Sequence, residues 1–336
     1  MRRLALPALA ALALGAAGAL AACGDSGPTL TVYSGREEGI VGPLLEGFEK
    51  ETGIDVEVRY GDSAELAATI SEEGGNSPAD VFFAQDAGSL GSIVDRLAPL
   101  PAATLDRVPA QLRDPEGHWV GTSGRVRVVA YNTETYKEGD LPDAILDYVD
   151  PRFRNRVGIA PTNASFQAFV TGMRLSLGDE RTREWLTALK DNGAKVYEKN
   201  LQIVEAVASG EVDLGLVNHY YLYLHKKEQP DAPVANRFMR AGDPGGLVNV
   251  AGAGVLASSD DAEDANRFVE YLLSEEGQRF YVEEAREAEY PVAAGVKPAA
   301  GLPPLSSLKG PDVPLESLGG ELEETLEMLS EVGLTS

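Results

Sequence analysis

One cysteine and three histidines are the whole supply of thiol and imidazole in 336 residues. With Cys23 alone, no internal disulfide can form. The histidines, His118, His219 and His225, never fall in an HExxH arrangement, and the chain has no CxxC and no GxSxG. The glycine-containing stretches GSLGSIVD and GDPGG lack the Lys-Ser/Thr pair of a phosphate-binding loop. These gaps weigh against a metallohydrolase, a dithiol redox protein, a serine hydrolase and a nucleotidase. No internal repeat is present, and no long segment has a disordered composition.

Basic residues are also few. Lys and Arg number 29 against 53 Asp and Glu, for a net charge of −24. Such a surface repels nucleic acid and anionic lipid. It aids solubility, and it is compatible with a cationic ligand without demonstrating one. At 43% hydrophobic residues the chain can still bury substantial cores.

The amino terminus, MRRLALPALAALALGAAGALAAC, joins two arginines to an Ala/Leu run and a small-residue site. It reads as an export signal over residues 1–22. The run is short and rich in Ala and Gly for a membrane span of about 20 residues. Loss of Arg2 and Arg3 would take the net charge from −24 to −26. The stretch Leu20-Ala21-Ala22-Cys23 resembles a bacterial lipoprotein box, which implies that Cys23 is lipidated and becomes the first mature residue. Residues 23–28 then form a polar tether.

Beyond Pro28 the pattern is strand, helix, strand, helix, strand. TLTVYSG alternates as a strand does. Val41, Leu44, Leu45 and Phe48 recur at helical spacing up to Gly53. IDVEVRYG reads as a strand, SAELAATISEEG as a helix capped by Ser63, ADVFFA as a buried strand and GSLGSIVDRLAPL as a helix. This order predicts an α/β fold with a largely parallel sheet. A longer strand over GTSGRVRVVAYN leaves this lobe, a second α/β run follows, and GLVNVAGAGVL returns. The expected architecture has a first lobe of residues 29–127 plus 252–310 and a second lobe of residues 128–251. A terminal helix lies within 311–336. Two crossing segments, Val126–Asn132 and Val248–Val255, make the hinge, with a cleft between the lobes.

The stretch LVNHYYLYLH places Tyr220 beside Tyr221. With VDLGLV as a strand and HYYLYLHKKE as a helix, Asn218 falls at the cap and the tyrosines in the first turn. There both phenols can reach one cleft. One reading is ordinary packing, with one ring inward and one at the surface. The other is a pair of phenolates on a strong cation. Tyrosine has a pKa of about 10, so only a small, highly charged metal such as Fe³⁺ would hold both deprotonated.

VNHYY resembles the Asn-x-Tyr-Tyr motif of bacterial ferric-ion-binding proteins, the substrate-binding components of iron ABC transporters. LTVYSGREE, NSPADVFFAQDAGSL, SGRVRVVAYN, APTNASF, YEKN and GDPGGLVNVAGAGVL are similar to further motifs of that family, in the same order. The resemblance covers nearly the whole mature chain. It implies a two-lobe periplasmic-binding-protein fold and Tyr220 and Tyr221 as metal ligands. Glu37 stands where the family often has His. Gln85 stands where it often has Glu, with Asp86 beside it as a substitute. The resemblance further implies a small anion, phosphate or carbonate-like, sharing the metal. The matching positions are Asn163, Ala164, Asn200 and Asn218, and Arg125 would either face the anion or balance a carboxylate. A non-enzymatic, lipid-anchored monomer delivering Fe³⁺ to an ABC permease on the outer side of the cell membrane is expected, with no nucleic-acid partner. The rival is a receptor of the same fold for an oxyanion, a polyamine or thiamine. With 7% aromatic residues, the walls of a polyamine site would be sparse.

Overall fold

The computed structural model describes residues 28–284 and 288–335. The expected export signal, Cys23 and nearly all of the expected tether lie outside the described residues. The first lobe opens with β1 (Thr29–Ser34), α1 (Glu38–Thr52), β2 (Asp55–Tyr60), α2 (Ser63–Glu73), β3 (Val81–Ala84), α3 (Ala87–Gly91) and α4 (Ala102–Leu105). The long strand β4 (Val120–Asn132) leads into β5 (Val157–Ile159), α5 (Ala164–Leu177), α6 (Asp179–Asp191), β6 (Lys195–Val196), α7 (Asn200–Ala208), β7 (Leu214–Asn218), α8 (Tyr221–Glu228) and β8 (Val234–Arg237). The chain returns through β9 (Val248–Val255) to α9 (Ala262–Leu272), α10 (Glu275–Arg279) and β10 (Tyr290–Pro291). It ends in α11 (Ser317–Gly320) and α12 (Leu322–Val332).

The strands run β2-β1-β3-β9-β4-β7-β5-β6, with β8 and β10 also on β4. Within each lobe the pairs β1–β2, β1–β3, β5–β6 and β5–β7 are parallel. The two crossing strands are antiparallel to their neighbours. All 13 residues of β4 are buried, and at strand rise they reach roughly 43 Å, enough to serve both lobes. Its first half pairs with β9 up to Val126↔Val248, and its second half pairs with β7 from Arg127↔Asn218.

Period-two alternation then divides the second-lobe side chains between two cores. Val129, Tyr131, Leu214 and Leu216 face Phe166, Phe169 and Trp185 on one side. Val126, Val128, Ala130 and Val217 face Ile203, Val204 and Val207 on the other. The first lobe has its own core, in which Phe48, Phe83 and Phe268 meet edge to face.

The C-terminal region departs from the expected division. Tyr290, Leu302, Leu305 and Leu308, predicted for the first lobe, pack against the second-lobe cluster around Ile203. Met328, Leu329, Val332 and Leu334 complete the cluster around Trp185. The short α11 sits between α3 of the first lobe and α5 of the second. Its fit on α3 depends on glycine: a Cβ on Gly319 would lie 2.2 Å from the Gly88 carbonyl oxygen. The chain therefore passes between the lobes a third time, beyond the two hinge strands.

Two helix starts also differ from expectation. Asp62, not Ser63, caps α2, accepting from the Ala64 N–H at 2.9 Å. The Ser63 hydroxyl is turned to the next loop, where it accepts from the Gln85 N–H at 2.9 Å. In GSLGSIVDRLAPL the α-helix α3 ends already at Gly91, and only a short 3₁₀ turn follows at Val94–Arg96. Gly91 there lies so close to the Glu316 carbonyl that no side chain fits.

Candidate functional site

The candidate residues follow the carboxyl ends of strands, where α/β sheets bind ligands. Glu37 follows β1, Gln85 follows β3, Asn163 follows β5, Asn200 follows β6 and Tyr220 follows β7.

The phenol pair sits where only two residues separate β7 from α8. β7 is buried throughout and ends at Asn218. His219 is fully buried, Tyr220 is the cap residue of α8 at φ −72°, and Tyr221 begins the helix. The change from strand to helix removes the usual divergence of neighbouring side chains. The two rings lie 4.4 Å apart, inclined by 33°. Tyr220 is 2% exposed and Tyr221 is half-buried.

Asn218 is not the helix cap that the sequence suggests. The β4–β7 ladder runs through it, so the cap position moves two residues on, and the Asn218 Oδ1 instead faces Arg127 Nη1 at 3.5 Å.

A polar cradle forms at the start of α5. Asn163 caps this helix, its Oδ1 accepting from the Ser165 N–H at 3.1 Å and from the Ser165 hydroxyl at 2.6 Å. Ala164 is exposed at the first helical position. Asn200, 1% exposed at the start of α7, donates its amide to Asn163 Oδ1 at 2.9 Å and to Ser165 Oγ at 3.1 Å. The buried Asn200 Oδ1 makes no hydrogen bond. The positive end of the α5 dipole points into this cradle.

Arg127 supplies the charge here, and sequence reasoning passed over it as a site residue. It is 4% exposed. It donates to the Leu216 carbonyl at 2.7 Å and to Ser165 Oγ at 3.2 Å, and it lies over the Phe169 ring at 5.3 Å. Burial lowers its pKa to about 10, opposed by the nearby Tyr221 and Tyr220, so it stays cationic at neutral pH. A fixed positive charge beside phenols favours their ionised form. Ser165 was likewise missed, although it adjoins Asn163 and Ala164.

Arg125 is committed elsewhere. Its Nη2 lies 3.2 Å from the Glu289 carboxylate, away from the α5 cradle. Both arginines occupy the same face of β4. The strand passes from one lobe to the other between them, so position 125 serves the hinge and position 127 the second lobe.

In the first lobe, Glu37 caps α1 through its backbone alone, and its side chain is exposed. Gln85 is half-buried directly after β3. Asp86 caps α3, accepting from the Ser89 N–H with Oδ1 and from the Ser89 hydroxyl with Oδ2, both at 2.9 Å. Both Asp86 oxygens thus already accept one hydrogen bond each, which ties the carboxylate to the start of α3. Among the described residues no group of three or more His, Cys, Asp or Glu is placed to hold a metal ion.

Two α/β lobes joined through β4 and β9, with helix starts facing a cleft, define a periplasmic-binding-protein fold. Residues 76–308 match the bacterial extracellular solute-binding protein family, and the chain belongs to it. It is accordingly a substrate-binding protein and not an enzyme.

The major ferric iron-binding protein of Neisseria meningitidis serogroup B is 36% identical, covering 95% of this chain and 97% of its own. Iron-bound HitA from Pseudomonas aeruginosa superposes with a TM-score of 0.83 at 36% identity, covering 91% of this chain and 100% of that one. The Trichodesmium protein solved with iron and citrate reaches 0.80 at 31% identity, covering 91% and 100%. Among the described residues no helix is long and apolar enough to cross a membrane.

Proposed function

We propose that the protein is an extracytoplasmic receptor for ferric iron, anchored by a lipid on Cys23, that presents its cargo to an ABC permease. The observation that carries this reading is the close, tilted Tyr220–Tyr221 pair beside a cationic Arg127 and an amide-lined helix start. The relatives and neighbours named for ferric iron support it.

In this reading Fe³⁺ docks first on the second lobe, held by the two phenolate oxygens. A small anion completes the shell from the α5 cradle, bound by Asn163, the Ala164 end of the helix, Ser165, Asn200, Asn218 and Arg127. Asn200 Oδ1 adds a preference. A buried acceptor without a donor is costly, and an anion that keeps one proton, such as hydrogen phosphate or bicarbonate, satisfies it. Glu37 and Gln85 then approach from the first lobe. Closure is favoured only by contacts that the open form lacks.

The test is colour. Ferric phenolates absorb visible light, so ferric citrate added to the apo-protein turns it orange-red. The double change Tyr220→Phe and Tyr221→Phe removes the band while the far-ultraviolet circular dichroism stays unchanged. If the double variant keeps the band and the affinity, the reading is wrong.

A further inference from the structure

The segment Ala288–Glu289–Tyr290 enters the hinge and carries no role in the site described above. Each of its three residues grips a different part of it. The Ala288 carbonyl accepts from His219 Nε2 at 3.1 Å. Glu289, 0% exposed, takes both arms of the Arg36 guanidinium at 3.2 and 3.1 Å. Its Oε2 also accepts from the Ser123 hydroxyl at 2.5 Å, and Arg125 flanks its Oε1. The Tyr290 ring lies 4.7 Å from the His219 ring.

These contacts end one residue short of the candidate donors on both sides of the cleft. Arg36 precedes Glu37. It is 1% exposed, and its own backbone N–H and carbonyl are both bonded to the Ser34 hydroxyl. Residue 37 therefore leaves a fixed point. His219 precedes Tyr220. Its Nδ1 accepts from the Val126 N–H at 3.3 Å, its own N–H donates to the Val126 carbonyl at 3.0 Å, and its Nε2–H is spent on Ala288. The ring cannot rotate without breaking two bonds.

Replacing a buried ion cluster by well-packed apolar groups is often neutral or stabilising, so burial of one carboxylate between two guanidiniums is weak evidence for stability and leaves a positioning role open. Ala288 sits at φ +47°, a left-handed conformation costly for a side chain with Cβ, and such strain is held only where surrounding contacts demand it.

We infer that Ala288–Glu289–Tyr290 is a latch that sets the spacing between the first-lobe donor loop and the phenol loop, with Glu289 the positioning residue that acts through Arg36 on Glu37. This rests on the ferric reading above. Glu289 touches no cargo and leaves the phenolates intact, so its loss changes affinity without changing colour.

The experiment is a double-mutant cycle. Ferric affinity is measured by citrate competition for the wild type, Glu289→Gln, Glu37→Ala and the double variant, with the visible band recorded for each. Arg36→Met replaces Glu289→Gln should the latter not fold, because it leaves Glu289 with Arg125 and Ser123. The expected result is a loss of roughly 10-fold or more for Glu289→Gln at unchanged band position, but less than about 2-fold once Glu37 is already Ala. Losses that simply multiply, or a Glu289→Gln variant as tight as wild type, overturn the latch and leave the ferric reading standing. A wild-type protein with no ferric band at all overturns both.

Discussion

Arg127 Nη1 lies 3.2 Å from Ser165 Oγ, so a strand that crosses between the lobes touches the first turn of the helix that would hold the anion. The same guanidinium lies over Phe169 and close to both phenols. Arg127→Met should lower ferric affinity by roughly 10-fold or more, the scale of one lost charge-assisted hydrogen bond. It should also erase most of the gain that added phosphate gives the wild type. Equal affinities with and without phosphate in the wild type would refute the anion assignment.

Two of the first-lobe candidates, Asp86 and Gln85, can be separated by substitution. Asp86 is tied to Ser89, so Asp86→Ala should cost about 1 kcal/mol of stability as a lost helix cap and leave ferric affinity within 2-fold, about the precision of a titration. Gln85→Glu should tighten binding, because a carboxylate is a harder and charged donor to Fe³⁺ than an amide. Melting curves and competition titrations on the two variants check both statements. An Asp86→Ala protein that loses affinity would put Asp86 among the ligands.

Cargo binding should release protons. If both phenols ionise, about two protons leave per Fe³⁺ bound, and affinity falls as the solution is acidified. Titration in weakly buffered solution with a pH electrode reads the number directly. A value near zero would rule out a phenolate pair.

Glu289 makes a separate prediction about stability and pH. Burial alone would raise its pKa. Arg36, Arg125 and the Ser123 hydroxyl override that effect and hold the carboxyl well below the usual carboxylate range. Its folded-state pKa is therefore depressed, so the stabilisation is present above the unfolded value of about 4.3 and lost as pH falls below it. The melting temperatures of wild type and Glu289→Gln should differ most near neutrality and converge toward pH 3. A gap that widens on acidification would contradict the sign.

The seam between α3 and α11 gives a packing test. A Cβ on Gly319 would meet the Gly88 carbonyl oxygen at 2.2 Å, and one on Gly88 would meet the Gly319 nitrogen at 2.7 Å. Both neighbours are backbone and cannot rotate aside. Gly319→Ala should cost about 1–3 kcal/mol as overpacking, visible as a fall in melting temperature of roughly 5 °C. An unchanged melt would mean that α11 moves freely on α3.

Much of the fold is legible in the sequence, because spacing reports burial. Val41, Leu44, Leu45 and Phe48 predict one helix face, and all four are buried on α1. The two crossing strands and the terminal helix also fall where alternation and helical spacing put them. Choices set by tertiary contact are not legible. Arg125 and Arg127 are equivalent by alternation, and only the passage of β4 between the lobes assigns one to Glu289 and the other to Ser165. Asn218 has cap chemistry, yet the ladder with β4 claims it. Asp62 and Ser63 both suit a helix start, and the Gln85 N–H on a distant loop decides between them. The pairing of Tyr220 with Tyr221 is visible as a pattern. Their close approach depends on where β7 stops.

The placement of α12 bears on how the chain matures. Met328, Leu329, Val332 and Leu334 fill the second-lobe core beside Trp185, although more than a hundred residues separate them from it. A chain made from its amino end therefore keeps that core unfinished until residues 328–334 have been added. Removal of residues 322–334 should therefore open the second-lobe core itself and be far more damaging than the loss of a helix that only covers a surface.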